Sequence, residues 1–132
     1  MPIKIAVIGA GSIGFTRRLM RDILSVPELA DSEFAFHDIN KHNLEMIAQL
    51  ANRDIEANGL PAKLSTSTQR RRALDGADYV LNTTRIGGLD AFALDVDIPL
   101  KYGVDQCVGD TLCAGGIMYL SLIHISEPTR PY

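Results

Sequence analysis

The 132-residue sequence predicts an α/β fold, the N-terminal half of a doubly wound parallel sheet with strand order 3-2-1-4. Three observations predict it. A β-branched apolar run, Ile3 to Ile8, ends in three glycines spaced G-x-G-x-x-G at Gly9, Gly11 and Gly14. A second short apolar run, Glu33 to His37, ends in an acid, Asp38, 24 residues after Gly14. Strand-like and helix-like stretches alternate at lengths that suit right-handed crossovers.

Taken in order, Ile3 to Ile8 is the first strand. Ser12 to about Val26 is a helix, because Ile13, Phe15, Leu19, Met20, Ile23 and Leu24 recur at helical intervals before Pro27. Arg17, Arg18 and Arg21 fall mostly on its other face, read either as a solvated surface or as contacts for an anion. The second strand, Glu33 to Asp38, is followed by a helix from Lys41 to about Asn58, where Asn58-Gly59 supplies a stop. Ala62 to Thr66 is a weak third strand. Gln69 to Leu74 is a short helix whose Arg70, Arg71 and Arg72 read as exposed. After the turn Asp75 to Asp78, Tyr79 to Thr83 is the fourth strand. Leu89 to about Tyr102 is helical, with Pro99 and Gly103 near its end, and a second helix is expected to start near Gly116.

Bulk properties exclude several classes. The length allows one domain at most, or part of one, and 46% apolar with 22% charged residues is ordinary for a globular protein. A net charge of −3 gives no reason to expect nucleic acid or an anionic membrane as a partner. No apolar run is long enough to span a bilayer, and Met1 to Gly9 reads as a strand rather than a leader. Two cysteines, Cys107 and Cys113, fit a reducing cytoplasm and match no standard zinc spacing.

The glycine pattern points to a Rossmann-like dinucleotide loop. Gly9 would allow the tight turn, Gly11 would let a pyrophosphate approach the backbone, and Gly14 would allow close helix–strand packing. The phosphates would sit at the N-terminus of the following helix, where unpaired N–H groups and the dipole favour negative charge. Asp38 at the tip of the second strand can accept from both hydroxyls of an adenosine ribose and repel a 2′-phosphate, which selects NAD over NADP. It can also cap the helix that follows. The other loop at the carboxyl ends of the strands, Asn82 to Gly88, has amides and hydroxyls suited to the nicotinamide-side ribose. Within it, Arg85 reads either as a holder of a substrate anion or hydroxyls, or as a plain turn residue.

Five stretches in order resemble one family: Lys4 to Ser12, Asp38-Ile39-Asn40, Asn82 to Gly88, Ile98 to Gly103, and Gly109-Asp110-Thr111 with Gly115-Gly116-Ile117. The chain is similar over about residues 3–118 to the N-terminal part of the NAD- and metal-dependent family 4 glycoside hydrolases, whose members include α-galactosidases, α-glucosidases and 6-phospho-glycosidases. The resemblance implies that NAD takes hydride from C3 of the sugar, a base removes the C2 proton, the C1 aglycone is eliminated, water adds and the hydride returns. A divalent metal, usually manganese, polarises the C3 oxygen. It further implies that Gly9, Gly11, Ser12, Ile13 and Gly14 form the cofactor loop, that Asp38 holds the adenosine ribose, and that Asn82 and Thr83 border the nicotinamide half. Arg85 matches a position near the sugar in the phospho-glycosidase branch. Asp110 and Thr111 fit the α-galactosidase branch better, so an α-galactosidase-like, unphosphorylated sugar is expected. Full-length relatives are implied to be homo-oligomeric.

The chain also departs from the family. The metal ligands and catalytic base of the family lie beyond its last residue, so no catalytic residue and no metal ligand is expected here. Cys107 and Cys113 do not match the metal cysteine, and Cys113 stands where the family usually has Gly, which puts close backbone approach there in doubt. His37, His42 and His124 match no ligand. Residues 1–120 read as an incomplete NAD-binding domain. Residues 121–132 carry two prolines and no helical period, and are expected to be a non-native tail. The rival readings are a stand-alone NAD-binding module and a fragment of a lactate- or malate-dehydrogenase-like oxidoreductase. The Ile98 and Gly109 segments favour the glycosidase.

Overall fold

The computed structural model describes residues 2–106 and 113–119, in two compact units, Met1–Thr84 and Arg85–Tyr132. The first unit carries a four-stranded parallel sheet of β1 (Lys4–Ile8), β2 (Glu33–His37), β3 (Lys63–Ser67) and β4 (Tyr79–Asn82), in the order β3-β2-β1-β4. Its helices are α1 (Ile13–Leu24), α2 (Lys41–Ala57) and the short α3 (Arg70–Leu74). This is the strand order expected of a doubly wound sheet.

Periodicity explains which faces are buried. In α1, Thr16, Met20 and Leu24 lie four apart and are buried; in α2 the buried set is Leu44, Ile47, Ala51 and Ile55. Both helices cover one sheet face, where Ile5, Val7, Phe34 and Phe36 point inward. The two phenylalanines meet edge to face at 6.1 Å between ring centroids, and each such burial contributes about 1.5–3 kcal/mol. The opposite face is thinner, with Ile8 and Ala35 beneath Ala73 and Leu74 of α3. The edge strand β3 is mostly polar, Lys-Leu-Ser-Thr-Ser, and Lys63 pairs with Glu33 across the ladder at 3.2 Å. The other edge, β4, leaves Tyr79 and Val80 more than half exposed.

The basic face of α1 is not uniformly solvated. Arg17 makes a two-pronged ion pair with Asp54 of α2, Nε to Oδ2 and Nη2 to Oδ1, both at 2.7 Å. The hydrogen-bonded guanidinium holds the Asp54 carboxyl below the usual carboxylate range, against the opposing effect of burial. Arg18 and Arg21 remain exposed, as do Arg70, Arg71 and Arg72.

Strand register positions the site. Ile8 pairs with His37 on one side and with Asn82 on the other. The three strands therefore end level, and the loop leaving β1 at Gly9 is flanked by Asp38 and Thr83.

The second unit holds α4 (Gly88–Leu100), with Pro99 in its last turn, and a helix over 114–119. No residue of α4 is buried, and its apolar residues, Leu89, Leu94 and Ile98 among them, follow no single stripe. A Cβ on Gly115 would lie 2.2 Å from the Asp95 carbonyl, so close backbone approach in this segment falls on Gly115, two residues beyond Cys113.

Candidate dinucleotide-binding site

The loop from Gly9 to Ser12 is held on both sides. On the β2 side, the N–H groups of Gly9 and Ala10 both donate to the His37 carbonyl at 2.9 Å. Gly11 N–H donates to Asp38 Oδ2 at 2.8 Å. On the β4 side, Thr83 N–H extends the ladder to the Ile8 carbonyl at 2.8 Å. Its hydroxyl lies 3.1 Å from that same oxygen and 3.0 Å from the Gly9 carbonyl.

Two glycines are required by what stands against them. Gly9 adopts φ +84°, and a Cβ there would meet the Thr83 and Thr84 backbone at 2.9 Å. At Gly11 a Cβ would lie 2.6 Å from Asp38 Oδ2 and 3.0 Å from Asn43 Cβ, so the missing side chain makes room for the carboxylate. Gly14 does not follow the expected role. Nothing lies within 4 Å of its missing Cβ, because the packing of α1 on the sheet runs through Thr16, Met20 and Leu24 instead.

Asp38 does not cap α2. That position belongs to Asn40, whose side chain accepts from Asn43 N–H at 3.1 Å. Asp38 Oδ1 accepts from Asn40 N–H at 2.8 Å. Each carboxylate oxygen thus holds one backbone N–H and keeps a lone pair for a further donor. The roles of Asn40 and Asn43 escaped the sequence reading; the Asn-x-x-Asn spacing after the acid was the available signal.

Ser12 is exposed at the start of α1 and its side chain makes no cap. Ile13 and Gly14 follow in the first turn, where main-chain N–H groups have no intrahelical acceptor. These groups, the glycine cradle and the Asp38 carboxylate together fit a pyrophosphate followed by a ribose diol. Asn82 folds its side chain onto its own turn, its Oδ1 accepting from Thr84 N–H at 3.1 Å and Thr84 Oγ1 at 2.8 Å.

Other candidates lie elsewhere. Arg85, in the second unit, places its guanidinium carbon 4.6 Å from the Phe92 ring centre and 4.7 Å from that of Tyr119. Asp110, Thr111, Cys107 and His124 fall outside the described residues. His37 is buried in β2 with Nδ1 3.0 Å from the Ser67 carbonyl, and His42 is exposed on α2. Among the described residues no three His, Cys, Asp or Glu side chains lie together to hold a metal ion, so manganese finds no fitting donor set there.

Residues 4–126 match the family 4 glycosyl hydrolases. The chain belongs to that family. The α-galactosidase of Rhizobium meliloti (strain 1021) is 62% identical over 116 residues, which are 88% of this chain and 24% of that protein. An α-glucosidase of Erwinia rhapontici is 36% identical over 122 residues, 90% of this chain and 26% of that protein. Among solved structures, the 6-phospho-β-glucosidase of Thermotoga maritima with manganese, NAD+ and glucose-6-phosphate aligns with a TM-score of 0.76 at 30% identity. That alignment covers 95% of this chain and 30% of the other. The chain thus spans about a quarter of the length of the curated relatives it matches. Family 4 membership decides against the dehydrogenase-fragment reading.

Proposed function

We propose that this chain is the NAD-binding part of a family 4 glycosidase acting on an unphosphorylated, α-galactoside-like sugar. The observation that carries the cofactor assignment is the Asp38 carboxylate, fixed by Gly11 and Asn40 N–H groups beside the glycine loop. The sugar class is supported by the 62% identity to an α-galactosidase.

The chemistry that bound NAD supplies is a hydride acceptor for C3 of the sugar. The residues of this chain bind and orient. Gly9 and Gly11 let the loop pass close under β4 and Asp38, and the first N–H groups of α1, from Ile13 onward, receive the pyrophosphate. Asp38 accepts from the ribose 2′- and 3′-hydroxyls and opposes a 2′-phosphate by charge. Asn82 and Thr83 border the nicotinamide side, and Arg85, Asp110 and Thr111 are candidates for sugar contact. The same reading places the protein in the cytoplasm and makes the full-length protein a homo-oligomer.

Calorimetric titration tests this. NAD is expected to bind the folded chain and NADP to bind at least about tenfold more weakly; no heat with NAD from folded protein overturns the cofactor assignment. The 132-residue chain alone is expected to show no turnover of a nitrophenyl α-galactoside with NAD and manganese supplied. Measurable turnover would show that it carries catalytic groups assigned here to the rest of the protein.

A further inference from the structure

Thr83 stands just past β4, where the family resemblance makes it a neighbour of the nicotinamide half. Its hydroxyl is already engaged. The two oxygens around Oγ1, those of Ile8 at 3.1 Å and Gly9 at 3.0 Å, are carbonyls and can only accept. The single hydroxyl proton is therefore given to the protein backbone, shared between the last residue of β1 and the first glycine of the loop. Toward any ligand, Thr83 Oγ1 can only accept.

The Gly9 peptide is where that bond has most effect. Gly9 leaves the strand at φ +84° with its N–H tied to His37 of β2. Its carbonyl receives Thr83 Oγ1 from β4 and, at 3.3 Å, Ser12 N–H from the start of α1. Fixing this carbonyl fixes the direction in which the chain runs from β1 to the α1 N-terminus. Two residues on, Gly11 N–H is taken by Asp38. The loop is thus slung between β2 and β4, and Thr83 supplies the side-chain hook on the β4 side.

The geometry points to Thr83 as a positioning residue, which sets the conformation of the glycine loop through the Gly9 carbonyl and acts on the dinucleotide through that loop. The inference rests on the NAD-binding reading of the loop. Loss of the hydroxyl strands no acceptor, since the Ile8 carbonyl keeps Thr83 N–H and the Gly9 carbonyl keeps Ser12 N–H. Hence Thr83→Val, which preserves shape, is expected to fold.

Two measurements on the full chain test it: amide hydrogen exchange of Gly9, Ala10 and Gly11 without ligand, and calorimetric affinity for NAD. Thr83→Val is expected to speed loop exchange and weaken NAD binding by about tenfold. Thr83→Ser is expected to restore both. Unchanged exchange in a folded Thr83→Val overturns the inference, whatever happens to affinity, because lost affinity alone marks a direct contact. Should Thr83→Val fail to fold, Thr83→Ser decides: fast loop exchange in a Ser variant of wild-type stability overturns it. A wild-type chain that does not bind NAD defeats the cofactor reading, and the exchange measurement then still judges the role of Thr83 in the loop.

Discussion

Alanine at position 9 meets two penalties at once, and alanine at position 14 meets neither. Gly9 has φ +84°, and the atoms facing its missing Cβ at 2.9 Å belong to the Thr83–Thr84 backbone, which cannot turn aside as a side chain would. Gly9→Ala is therefore expected to destabilise by about 2 kcal/mol or more. Gly14 lies in the first turn of α1 with open space around it, and Gly14→Ala is expected to stabilise by up to about 1 kcal/mol. Urea unfolding midpoints of both variants check the pair; a Gly14→Ala loss as large as that of Gly9→Ala would restore the packing role that the glycine spacing suggests. The spacing G-x-G-x-x-G made the loop legible. It could not say that the space at Gly11 belongs to Asp38, because that contact joins residues 27 apart.

Helices and strands were readable to within a residue or two wherever one face is apolar. Leu44, Ile47, Ala51 and Ile55 mark α2 because they enter the core on one face of the sheet, and the same period that defines the helix also buries it. The helix expected from Leu89 to about Tyr102 is found at Gly88–Leu100, but its packing face was not legible, since Asp90, Asp95 and Asp97 interrupt its apolar residues and leave no single stripe. The Arg17–Asp54 pair was equally hidden: nothing in a basic helix face says which arginine finds an acid on the next helix. That pair makes α1–α2 packing sensitive to acid. The Asp54 carboxyl is depressed in the folded state, so its stabilisation is present above the unfolded-state value and is lost as the pH falls through the folded one. Thermal midpoints followed from about pH 6 down to about pH 2 should fall less steeply in Asp54→Asn than in the wild type. Identical acid limbs would show that the pair contributes nothing to stability.

Among the described residues β4 is an edge of the sheet, with Tyr79 at 61% and Val80 at 51% exposure. An apolar parallel edge of this kind invites pairing with another chain. Val80→Lys is expected to reduce self-association in sedimentation velocity with little change in unfolding midpoint; association equal to the wild type would place the sticky surface elsewhere. The parallel order also bears on how the site comes into being. The Asp38–Gly11 bond closes a separation of 27 residues, whereas the Thr83–Gly9 bond closes 74. By loop-closure entropy the second costs about 0.9 kcal/mol more than the first. During synthesis, β1, β2 and β3 can pair while β4 is still unmade. The glycine loop then hangs from one side only, and it gains its second support when residue 83 arrives.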